Sequence, residues 1–165
     1  MNASKYRASA IALLVGAANV VAINTAGAAA ASNGPTLVPF SSLFRNCNFE
    51  RKHYVSATGT GSGDALIGAG SDGVTADVRL QTAEPNTRYT VRLIQVPRAP
   101  ERTCTVGDPG VAVAELFTDG NGTGSTRVSG PLMQGATGAW VSIDGPPKPG
   151  KVIGEFYTSE VLAAL

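Results

Sequence analysis

The stretch Ala83-Glu84-Pro85-Asn86-Thr87-Arg88-Tyr89-Thr90-Val91-Arg92-Leu93 constrains the fold of this chain more than any other. Glu84-Pro85-Asn86 has turn chemistry, because proline presets its φ and asparagine tolerates a left-handed backbone. Behind the turn, Tyr89, Val91 and Leu93 alternate with Arg88, Thr90 and Arg92. That period of two makes one face of a strand apolar and the other polar. A tyrosine directly after such a turn buries its ring and ties its hydroxyl back to upstream backbone. This arrangement is the tyrosine corner of Greek-key β-sandwiches.

The rest of the chain carries strand signals of the same kind. Val74 to Gln81 is the cleanest alternation, with Val74, Ala76, Val78 and Leu80 on one face. Gly138 to Asp144 places Ala139, Val141 and Ile143 on one face and Trp140 on the other. Arg51 to Ala57, Ala65 to Ile67, Val111 to Thr118, Thr123 to Val128 and Val152 to Thr158 read as further short strands. Thr58 to Asp64 reads as a flexible glycine-rich loop, and Asp119-Gly120-Asn121-Gly122 as a tight hairpin turn. With 20 glycines, 10 prolines and only 15% charged residues, the composition suits short strands and turns. The expectation is an all-β, antiparallel Greek-key sandwich of about seven to eight strands.

Lys5 and Arg7 precede an apolar run from Ala8 to Ile23, and small residues follow at Ala26-Gly27-Ala28 and Ala29 to Ala31. This is the pattern of a signal peptide over residues 1–31. The expected organisation is then a helical signal segment, a lead-in at 32–48 and the sandwich at 49–165. The expected location is secreted or cell-envelope, with no membrane span in the mature chain. Removing Lys5 and Arg7 turns the formal net charge of +1 into a slight acidic excess, since 12 acidic residues remain. A nearly neutral chain argues against nucleic-acid binding, which draws on a basic surface. The two cysteines, Cys47 and Cys104, form an isolated pair. In an oxidising compartment such a pair favours one disulfide, with free thiols or an intermolecular bridge as the alternatives.

The Pro85 to Leu93 run resembles the tyrosine-corner strand of fibronectin type III domains. A wider resemblance is to the exported Ig-like β-sandwich proteins of actinobacteria, the neocarzinostatin type. Its elements are Thr87, Tyr89 and Val91, then Cys104, then Thr118-Asp119-Gly120-Asn121-Gly122-Thr123-Gly124 and a return strand of small residues. The resemblance implies an Ig-like sandwich and a small-molecule carrier. The cysteines depart from that type, which has two local disulfides where this chain has one distant pair.

Candidates for chemistry are few. Asp119-Gly120-Asn121-Gly122-Thr123-Gly124 imitates the start of a calcium loop, but Gly130 occupies the position of the closing glutamate. His53 is the only histidine, too few for a catalytic zinc site, and no G-x-S-x-G elbow is present. No metal or cofactor is expected, and a hydrolase is the least supported reading. Trp140, set against Val141 and Ile143, is the leading candidate for an exposed binding residue. Arg88 and Arg92 on the outward face of the Tyr89 strand are the next. The expected function is a non-catalytic binding or structural module whose partner is a glycan, a small apolar ligand or a protein. The alternative is a small-molecule carrier.

Overall fold

A computed structural model describes residues 34–165. The expected signal peptide lies outside the described residues. The described chain is all-β and antiparallel. Its strands are β1 (Thr36–Ser41), β2 (Ser62–Gly70), β3 (Gly73–Gln81), β4 (Arg88–Val96), β5 (Val111–Phe117), β6 (Gly124–Gly130), β7 (Gly138–Asp144), β8 (Phe156–Ser159) and β9 (Ala163–Ala164). Hydrogen-bonded neighbours run β5-β4-β7-β8-β1-β2-β3-β6, and β9 pairs with β7. The two end strands, β5 and β6, are consecutive in the chain, so the sheet curls into a nearly closed barrel-like sandwich. No helix among the described residues is long and apolar enough to cross a membrane.

The alternating patterns fall where the sequence puts them. Val74, Ala76, Val78 and Leu80 of β3, Tyr89, Val91 and Leu93 of β4, and Ala139, Val141 and Ile143 of β7 all enter one core. Strand β1 joins the two halves of that core. Its Thr36–Pro39 part pairs with β2, and Phe40 and Ser41 pair with β8. Pro39 sits at the switch, where its missing N–H breaks neither ladder.

Four expectations are corrected. The segment expected as a lead-in supplies β1, because Val38 and Phe40 face the core despite the intervening Pro39. Arg51 to Ala57 is not a strand; it carries no alternation, and Tyr54 stands 79% exposed. Val152 is exposed, so β8 begins only at Phe156. The expected terminal tail contributes β9.

The glycine-rich loop before β2 is packed rather than open. Gly61 N–H donates to Tyr157 Oη at 3.0 Å. A β-carbon at Gly59 or Gly61 would lie 2.7 or 2.6 Å from that oxygen, so only glycine lets the backbone come so near.

The tyrosine corner is present and carries an added carboxylate. Tyr89 is fully buried, and its hydroxyl accepts from Glu84 N–H at 3.0 Å while donating to Glu155 Oε2. Glu155 Oε2 also accepts from Tyr157 Oη at 3.1 Å and from Glu84 N–H at 3.1 Å. The Thr118–Thr123 hairpin locks the same corner from the other side. Thr118 Oγ1 donates to Glu84 O at 2.6 Å and accepts from Thr87 N–H at 2.9 Å. Asn86 N–H reaches Asp119 O at 3.0 Å.

This network sets an alkaline limit. Burial, opposed in part by the Gly61 N–H and reinforced by Glu155, leaves the Tyr157 hydroxyl pushed up to about 12. Burial and the bond to Glu155 push Tyr89 in the same direction. A phenol whose folded pKa exceeds its unfolded value of about 10 stabilises the fold fully below pH ~10. That contribution is lost as pH rises through the folded value. The melting temperature followed by circular dichroism is therefore expected to hold to about pH 10 and then fall. Tyr157→Phe should flatten the fall, and an unchanged slope would count against the shared network.

Candidate functional site

The candidate site lies on the outer face of the sheet that contains β4 and β7. Alternation sends Arg88, Thr90, Arg92, Ile94 and Val96 of β4 to this face, together with Trp140, Ser142 and Asp144 of β7. The register then sets Ile94 beside Trp140 and Arg92 beside Ser142. Phe156 of β8 stands beside Asp144, and Thr158 beside Ser142.

Two irregular segments, 42–61 and 97–110, roof one half of this face. Cys47 and Cys104 join them in a disulfide with Cα atoms 5.5 Å apart. Ile94, Val96, Cys104 and Trp140 form a second apolar cluster beneath the roof, with Cys47, Phe49 and Val111 packed on it. Phe49 meets Trp140 edge-on at 5.6 Å between ring centroids, and Phe44 meets Phe156 at 5.3 Å.

Polar contacts hold the roof down. Arg45 Nε donates to Ser159 O at 3.0 Å, Nη1 to Phe49 O at 3.0 Å and Nη2 to Glu160 O at 3.1 Å. Its guanidinium also stacks 3.9 Å over the Phe49 ring. Burial, with Arg51 close by, lowers the Arg45 pKa from its ordinary value. In the second segment Arg98 donates to Pro109 O and Thr103 O, so this arginine holds its own loop.

Beneath the roof lies a cavity of about 240 Å³, lined by Arg45, Arg92, Trp140, Ser142, Asp144 and Phe156 among others. Arg92 crosses its floor. Nη2 pairs with Asp144 Oδ2 and approaches Ser142 Oγ at 3.4 Å, and Nη1 donates to Cys104 O at 3.3 Å. Arg92 Nε and Trp140 Nε1 are buried and have no acceptor among the described residues. An unmade bond of this kind costs about 1–3 kcal/mol, so such atoms call for an explanation.

The structure brings four of the five residues singled out from the sequence into one place. Cys47, Cys104, Arg92 and Trp140 all line the cavity. Arg88 stays apart, exposed and paired with Glu115 at 3.4 Å. The expected orientation of Trp140 holds, since it faces away from Val141 and Ile143. Its expected exposure does not, because Trp140 is only 1% exposed. The disulfide-bonded segments cover the face that alternation alone leaves open to solvent. Ser142 and Asp144 were legible as neighbours of Trp140 on that face, two and four positions on. Arg45 and Phe49 had no signal, because irregular backbone carries no periodicity.

Two other places have their polar groups already committed. The Asp119 carboxylate accepts from Asn121 N–H at 2.8 Å and Thr123 N–H at 2.9 Å, so it shapes its own turn. These bonds hold its pKa below the ordinary carboxylate value. A hollow of about 240 Å³ beside Tyr89 and Pro146 contains Glu84 and Glu155. There Glu84 pairs with Lys148 and Glu155 with the two tyrosines, so both carboxylates are committed. No group of three or more potential metal-ligating side chains occurs among the described residues.

The chain matches no protein-family model, and neither a curated protein nor a solved structure matches it.

Proposed function

We propose that this chain is an exported, non-catalytic β-sandwich module of Ig-like type that binds a small ligand in the roofed cavity. The observation that carries the reading is the roof itself. Two long irregular segments are bonded together over a sheet face, leaving a cavity between them and the sheet. Long loops without secondary structure are commonly functional. Export is supported by Lys5 and Arg7 before the apolar run and by the disulfide, which persists in oxidising compartments. The carrier reading agrees with the same cavity, but for a modest cargo. Drug-sized ligands fill about 300–1,000 Å³, and this space is about 240 Å³. A glycan or protein partner has less support, because the aromatic that would meet it is covered.

A screen of single-ring fragments by ¹H–¹⁵N correlation spectra tests the reading. Trp140 is the only tryptophan, so its indole N–H is a single reporter. At least one fragment is expected to move it saturably, together with Arg92 Nε–H. In a chain with both cysteines replaced by alanine the effect should vanish. A library that leaves both signals still would reject the cavity as a ligand site.

A further inference from the structure

We infer that the tip formed by segments 51–58 and 145–154 docks peripherally on an anionic lipid bilayer, its apolar side chains entering the interface and its cations meeting the headgroups. Tyr54, Val152 and Ile153 are 79%, 93% and 42% exposed. Single exposed apolar side chains are ordinary, but these come from two distant segments and line one shallow hollow of about 310 Å³ with Val55 and Lys151. The hydroxyl of Thr58 fastens the two segments, donating to Gly154 O at 2.5 Å. Lys151 N–H donates to Lys148 O at 2.9 Å, closing the turn that presents Val152.

Charge selects the occupant. Arg51, Lys52 and Lys151 form no ion pair among the described residues. Neither segment contains an aspartate or a glutamate. Of the flanking acids, Asp144 pairs with Arg92 and Glu155 holds the two tyrosines, which leaves Glu50 against these cations. Lys52 Nζ lies 5.4 Å from the centroid of the Tyr54 ring, so a cation and an amphipathic ring stand side by side. A tyrosine suits the headgroup level of a bilayer, and a lysine can lay its stem along apolar surface while its charge reaches the phosphates. A soluble polyanion would meet the cations but leave Val152 and Ile153 in water. A neutral apolar groove would cover those two but strand the charges. An anionic bilayer meets both demands, and each Lys or Arg near such a surface contributes about fivefold to binding.

The test uses the chain from residue 32 on, the exported form expected from the sequence, so that the apolar run Ala8 to Ile23 takes no part. Its core is built from described residues alone. Sedimentation is measured with vesicles of phosphatidylcholine, and of phosphatidylcholine with about one third phosphatidylglycerol. Binding to the anionic vesicles is expected to be at least about tenfold tighter. Raising the salt should weaken it, because screening shortens the reach of the headgroup field. Lys52→Gln/Lys151→Gln should lose about 25-fold, roughly fivefold for each charge. Val152→Ser should lose about tenfold on the anionic vesicles, because the aliphatic group that left water is gone. Lys151 and Val152 are exposed and Lys52 partly so, so both variants should keep the circular dichroism of the natural chain. No binding to anionic vesicles, or equal binding to both kinds, would overturn the inference. Anionic-vesicle binding that Val152→Ser leaves unchanged would reduce the tip to a charge patch for any polyanion, and would overturn the bilayer as its occupant.

Discussion

Replacing both Cys47 and Cys104 with alanine is expected to lower the unfolding free energy by about 4 kcal/mol, the chain-entropy value for a loop of this length. The bond spans 57 residues, and without it the unfolded chain regains that freedom. The loss should be visible at the roof before it is visible in the core. Trp140 is covered by Phe49 and by the bonded segments, whereas Val141 and Ile143 are held by the sandwich interior. The oxidised chain is expected to show blue-shifted emission that iodide quenches poorly. The double variant should emit further to the red and quench readily while keeping its β-sheet circular dichroism. An unchanged emission maximum would mean that the roof stays in place on its own hydrogen bonds. Equilibrium denaturation in urea, with emission and circular dichroism recorded together, measures both effects.

Glu155→Ala should cost on the order of 3 kcal/mol. The reason is the number of donors that one oxygen satisfies. Tyr89 Oη, Tyr157 Oη and Glu84 N–H all point at Glu155 Oε2; removing it strands the two buried hydroxyl protons and leaves Glu84 N–H with Tyr89 Oη alone. Tyr89→Phe removes the hydroxyl alone and should cost about 1–2 kcal/mol. Glu155→Gln keeps an acceptor but loses the charge, so its cost should fall between the two. The paired variant Tyr89→Phe/Glu155→Ala is expected to cost less than the sum, because the residues act in one network. Strict additivity in denaturation midpoints would show the two side chains to be independent.

The corner was readable in advance for a local reason. Turn residues at Glu84-Pro85-Asn86, a tyrosine at the strand start and a period of two are properties of consecutive residues. The strand β7 was readable in the same way, from Gly138 to Asp144. The carboxylate in the corner was not, because Glu155 is 66 residues from Tyr89 and belongs to no motif. Strand β1 was hidden by Pro39, which reads as a strand breaker until its place between two ladders is known. Thr118 and Asp119 drew notice as part of a turn and a calcium-like run. Their work, holding the Glu84–Thr87 turn and their own loop, needs the contact between two hairpins to be seen.

The sequence by itself determined the all-β class, the inward faces of β3, β4 and β7, the hairpin turn and the direction of Trp140. Each follows from backbone chemistry and alternation over a few residues. Only the tertiary structure decided that Trp140 is buried, that Arg92 lies on the floor of a cavity and that Arg45 borders it. Those facts depend on what covers the outer face of a sheet. The cover comes from irregular segments that are distant in the chain, and their position is set by a disulfide and by contacts to β8. Period and propensity speak for a residue and its neighbours; burial on an outer face depends on whatever else the chain brings there.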